Sequence, residues 1–296
     1  MVVSPLSWRQ IAFMTLADIR RSLSGGAGLF FIFVVLLIGW ILLTVVTDPL
    51  AGLVIEESGQ SASSAAITQQ IAQYFGPLIA WWVDAPSQFD PAVVHLIAEH
   101  PAVMSLFLII FAAFVPFTSC LVGSDQLAAD LSSRHTRVLL LRTGRTELML
   151  SRFLGVVVFS ALISLILVLF VAAFISLKFP GFDPLGLIGW GFRGWLALVV
   201  ISLPYLALTT WLSLWVRTTA MVFVLSWLIT TGAIVGFKVL ASQLEAPWIE
   251  GFSPWAWKYG LFHPDASRFF TSLAIFLGFT LLLLVLARFR FHRRDV

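Results

Sequence analysis

The sequence predicts an all-α, polytopic membrane protein. It is expected to have six transmembrane helices, an N-terminal amphipathic interface helix and both termini in the cytoplasm, in one transmembrane domain over residues 1–296. Three observations carry this. Hydrophobic residues make up 59% of the chain and charged ones 11%, with a mean hydropathy of +0.98, far outside the range of soluble domains. Six continuous apolar runs, at residues 27–46, 102–122, 153–177, 195–216, 220–241 and 269–287, are each long enough to cross a ~30 Å hydrocarbon core as a helix. A β-barrel would show short alternating segments instead. With the gaps between runs assigned alternately to two sides, thirteen of the 18 Lys and Arg fall on one: Arg9, Arg20, Arg21, Arg134, Arg137, Arg142, Arg145, Arg152, Arg217, Arg288, Arg290, Arg293 and Arg294. The other side holds Lys178, Arg193, Lys238, Lys258 and Arg268, with ten of the 15 carboxylates. The positive-inside rule makes the arginine-rich side cytoplasmic, in a cell inner (plasma) membrane. The arginines are spread over four separate segments, so they signal orientation and make no case for nucleic-acid binding.

Residues 5–23 place Leu6, Ile11, Phe13, Met14, Leu16 and Ile19 among Arg9, Gln10, Asp18, Arg20 and Arg21 at near-helical spacing. Such a helix is expected to lie in the inner interface, arginines against anionic headgroups. Ser24, Gly25 and Gly26 then break it. These glycines make no phosphate loop, because no Gly-Lys-Ser/Thr follows and no strand precedes them. The first run is too long for the h-region of a cleavable signal and is expected to remain as a signal anchor.

Residues 47–101 form the longest loop, on the external side. Within it, 65–83 is apolar but carries Gln69, Gln70, Gln73, Gly76 and Pro77, which make a seventh span costly. Counting it would also flip residues 134–152 to the outside, so an external helix pair or a re-entrant segment is expected. Pro116 and Pro204 each remove a backbone hydrogen bond inside a run and should kink it. Gly232, Ala233 and Gly236 offer a face for close helix contact, either with a second copy or within the chain. Arg193 and Lys238 fall near outer span ends and are expected to snorkel to the interface. Cys120 has no cysteine to pair with and reads as an inert core residue. No ionisable residue lies mid-span, and no Ser–His pair or His/Glu cluster is visible, which disfavours an ion-coupled carrier or an intramembrane enzyme.

The one sizeable cytoplasmic loop, residues 123–152, has internal structure. Asp125 and Asp130 sit on a prolongation of the second run, and Ser132 and Ser133 can cap a second helix. That helix exposes Arg134 and Arg137 and carries the apolar residues Val138, Leu139, Leu140 and Leu141, followed by Arg142. After Thr143 and Gly144 the chain re-enters, with Arg145 and Arg152 at headgroup level. Topology alone accounts for the arginines but not for the apolar stretch between them. A soluble partner could take that stretch into a groove and pair the arginines with carboxylates.

Taken together, these segments resemble the permease subunits of ABC-2 type transporters, six-span partners of separate ATP-binding subunits. The resemblance covers essentially the whole chain and rests on order and placement. It comprises the interface helix at 5–23, the loop from Asp130 through Gly155, the Phe252-Ser253-Pro254 step into the last external segment, and the basic end Phe291-His292-Arg293-Arg294-Asp295. The chain departs from that pattern at Ser133-Arg134-His135, where Glu-Arg and Gly are usual, and in lacking the proline after the apolar helix. The resemblance implies a non-catalytic membrane subunit that binds no cofactor, ATP and magnesium being held by the partner. It implies a second copy or sister permease, and an ATPase interface at Asp130, Arg134, Thr136, Arg137, Val138, Leu139, Leu140, Leu141 and Arg142, with 136–141 as coupling helix. An exporter is the expected function. The alternative is a non-transporting anchor that passes ATPase work to external partners, of the motility or enzyme-maturation type, received on 47–101.

Overall fold

The computed structural model describes residues 7–24, 29, 32–45, 100–132, 143–178, 183–216, 218–263 and 265–293, and among these all regular structure is helical. The helices are α1 (Trp8–Ser24), α2 (Ile32–Val45), α3 (Ala102–Ser132), α4 (Arg145–Lys178), α5 (Pro184–Ser213), α6 (Thr219–Gln243) and α7 (Ala266–Arg293). Two 3-10 helices, Pro247–Phe252 and Pro254–Phe262, join α6 to α7. Five helices, α3 to α7, are long and apolar enough to cross a membrane. α2 is a shorter apolar helix within the run at 27–46. The external loop, up to residue 99 and including 65–83, lies outside the described residues.

α5 is the axis. It packs against α3, α4, α6 and α7 and buries side chains from Leu187 to Ser213. It begins at Pro184, well before the run at 195–216, for a local reason. Asp183 caps it by accepting from the Leu185 and Gly186 N–H groups at 3.2 and 2.9 Å, with Pro184 in the first position. Two of the glycines that lower hydropathy there serve packing: a Cβ on Gly191 would overlap Met104, and one on Gly194 would overlap Leu108, both of α3. Trp190 Nε1 donates to Ser105 Oγ of α3 at 2.9 Å in the same contact. Around it lies the main core, with Met104, Leu108, Val171, Ile175, Leu187 and Ile201.

Burial in an apolar bundle demands that hydroxyls find acceptors. Thr209, Thr210, Ser213, Ser226 and Thr280 donate to carbonyls three or four residues back, at 2.7–2.9 Å. Cys120 is buried and lies 3.7 Å from Thr230 Oγ1. Pro116 and Pro204 are carried inside uninterrupted helices.

α6 and α7 are the least covered of the long helices; α6 buries Val222, Ser226, Thr230 and Ala241 and exposes Met221, Val224, Trp227, Leu228 and Val235. A Cβ on Gly232 or Gly236 would meet nothing within 4 Å. Among the described residues, no side chain packs closely on these two glycines.

Candidate functional site

The arginine-rich end of the bundle is organised by the first turns of α4. With 34 residues, α4 is about 51 Å long at 1.5 Å per residue, far longer than a span requires. Its leading turns extend beyond the run at 153–177, and α1 packs alongside them. The stripe Ser7, Ile11, Met14, Thr15 and Asp18, spaced three and four apart, is the face of α1 that meets α4.

Glu147 anchors the contact. It is 5% exposed and sits at the third position of α4. Its Oε2 accepts from the Gly144 N–H at 3.0 Å, closing the helix's own first turn as a capping-box glutamate does. Its Oε1 accepts from the Ser7 N–H at 2.7 Å, the residue that precedes α1. One carboxylate thus serves the N-terminal ends of two helices, where both backbone dipoles favour negative charge.

Further along, Thr15 Oγ1 donates to the Ser151 carbonyl at 3.3 Å, and Asp18 forms an ion pair with Arg152. Both side chains of that pair are largely buried, at 13% and 12% exposure. Gly155 lets Asp18 approach, since a Cβ there would lie 3.2 Å from Asp18 Cβ. Both sets of contacts advance together along the chain, so α1 and the start of α4 run in the same direction.

Arg145 ties in the other end of the chain. Its guanidinium donates to the Phe291 and His292 carbonyls at 3.0 and 3.2 Å, the last-turn acceptors of α7 that have no partner within the helix. Beneath these polar links lies an apolar cluster of Leu148, Met149, Leu214, Ala287 and Phe291, with Met14 and Trp211 against it. Arg290 stacks over Trp215 at 4.0 Å from the ring centroid. α1, α4, α7 and the end of α5 therefore meet in one node.

Of the residues assigned to a partner interface from sequence, Asp130 lies on the closing turns of α3, which prolong the apolar run at 102–122 as far as Ser132. Arg134, Thr136, Arg137, Val138, Leu139, Leu140, Leu141 and Arg142, including the coupling helix at 136–141, lie outside the described residues. Sequence reasoning placed Arg145 and Arg152 at headgroup level; the structure gives them partners in α7 and α1. It passed over Glu147 as a cap, although Gly144 followed by Glu three positions on is the signal. Among the described residues there is no group of three or more His, Cys, Asp or Glu side chains able to hold a metal ion.

No curated protein compared with the chain matches it. Residues 97–296, from just before α3 through α7, match a family described as "Protein of unknown function (DUF2705)". That match takes in about two thirds of the sequence, including all five membrane-length helices and the segment between α3 and α4, and the chain belongs to this family.

Proposed function

We propose that the protein is the membrane-spanning permease subunit of an ATP-driven ABC transporter, working as an exporter with a separate ATP-binding subunit. In this reading the arginine-rich end faces the cytoplasm, the short helix α2 belongs to a sixth span, and α1 lies at the inner membrane surface. The segment at 136–141 seats in a cleft of the ATPase, and two permeases assemble over an ATPase dimer. Gly232 and Gly236 of α6 support a second copy, because a Cβ on either would meet no atom of the described residues within 4 Å.

The observation that carries the reading is where the loop lands. The chain returns from 133–142 directly onto Gly144 and Arg145, the first turn of α4, and that turn is bonded to α1 and α7. A push on the loop by a closing ATPase dimer acts on a braced lever and moves several helices as a unit between two packings. Loose coupling would need no such bracing.

The test is a variant combining Arg137→Glu with Leu139→Asp and Leu140→Asp. It should reach the membrane at wild-type level, lose co-purification of an ATP-binding subunit and abolish transport. Unchanged co-purification with normal transport contradicts the assignment. The anchor reading predicts a co-purifying ATPase that no exported compound stimulates.

A further inference from the structure

At the far end of the bundle, Lys258 on the second 3-10 helix is 1% exposed. Its ammonium stands 3.9 Å from the Trp255 ring centroid and 4.3 Å from that of Tyr259. It donates to the Trp255 carbonyl at 3.4 Å, the long limit of a hydrogen bond. An ammonium has three donors, and withdrawing it from water is costly unless an anion or several acceptors receive it. Burial, followed by the like charge of Lys238, pulls its pKa down to about 7, against the opposing pull of Glu250.

A cavity of about 430 Å³ opens beside this lysine, between α3, α6 and the two 3-10 helices. Its polar wall is Lys238, Glu250, Ser253 and Lys258; its apolar wall includes Phe114, Phe117 and Val235. Phe114 is 40% and Val235 53% exposed, so the cavity opens on the apolar flank of the bundle. Its size suits a small ligand's head. Lys258, which donates only at the long limit to Trp255, is the buried cationic group that lines the cavity, and a bound anion would hold its proton in place.

We propose that this cavity binds an anionic amphiphile, a carboxylate or phosphodiester head on an aliphatic chain. Lys258 is the counter-ion, Ser253 is a hydroxyl donor, and the chain lies along Phe114, Phe117 and Val235. The site needs no ATP-binding partner, so it stands or falls apart from the coupling reading.

The test uses the full chain, purified in detergent, stripped of lipid and titrated by native mass spectrometry with oleate, phosphatidylglycerol, phosphatidylcholine, acetate or inorganic phosphate. Oleate or phosphatidylglycerol should occupy one site about tenfold more tightly than phosphatidylcholine, and acetate and phosphate should not displace them. Lys258→Met should weaken that binding about tenfold, and Lys258→Arg should restore most of it. Equal binding of phosphatidylcholine, displacement by acetate or phosphate, or undiminished binding by Lys258→Met overturns the proposal. Should Lys258→Met fail to fold, Glu250→Gln decides: removing the competing carboxylate should tighten binding of the anionic amphiphile, and unchanged or weaker binding overturns it.

Discussion

The Glu147 carboxylate and the Ser7 backbone N–H, 140 positions apart in sequence, are joined by a 2.7 Å hydrogen bond. The other oxygen of the same carboxylate closes the first turn of α4 at Gly144, so one side chain holds both contacts. Glu147→Ala should therefore lower stability by about 1–3 kcal/mol, the cost of orphaning buried donors. Glu147→Gln, which keeps an acceptor oxygen, should cost less. Thermal unfolding of the purified chain measures both, and limited proteolysis near Ser7 should speed up in the alanine variant. Wild-type stability in Glu147→Ala contradicts the capping role.

The Asp18–Arg152 pair makes a charge-neutralisation prediction. Each side chain is largely buried, so removing one partner leaves a poorly solvated charge. Asp18→Asn and Arg152→Gln should each destabilise by about 1–3 kcal/mol, and the double variant by less than the sum. Additive losses in that double-mutant cycle would show that the two residues do not act together.

Lys258 predicts a dependence of stability on pH. Its folded pKa of about 7 lies below the ordinary lysine value of 10.5. Between these values the unfolded chain holds a proton that the folded chain does not. Stability should thus rise as pH increases from about 7 to about 10, by at most a few kcal/mol, and be lost as pH falls back through that window. Lys238 and Glu250 act on the same amine, while the buried Tyr259 phenol, with its pKa pushed up, stays neutral throughout. Lys258→Met should flatten the rise in melting temperature, and an unchanged profile contradicts the assignment.

Glycines on opposite sides of the bundle should respond in opposite ways. Gly194→Leu forces a side chain into Leu108 and should destabilise the fold by about 1–3 kcal/mol. Gly232→Leu meets open space and should leave the monomer as stable or slightly more so. If α6 carries the contact between two copies, Gly232→Leu should also shift the mass in light scattering from dimer to monomer. A dimer unaffected by Gly232→Leu places that contact elsewhere.

The long helices were legible because lipid-length apolar runs have few other solutions. The start of α5 was not, since a hydropathy scan penalises the glycines at 186–194, of which Gly191 and Gly194 let α3 and α5 close on each other. Arg193 was read as snorkelling at a span end. It sits in α5 and donates to the His263 carbonyl at 3.2 Å, a partner that sequence spacing does not report. Lys258 counted as one more external charge, because its aromatic neighbours carry no periodic signal of burial. The node at α1, α4 and α7 is assembled by contacts more than a hundred residues apart, and no local pattern reports such pairings. The amphipathic stripe of α1 was visible, but not that its polar members face Glu147, Ser151 and Arg152.

The central claim is that this chain works on a separate ATP-binding subunit, and purification from native membranes through a tag on the chain tests it most directly. The account predicts stoichiometric recovery of a P-loop ATPase, released when Arg137→Glu is combined with Leu139→Asp and Leu140→Asp. Recovery of the intact chain without any P-loop ATPase, or with one that those substitutions do not release, contradicts it.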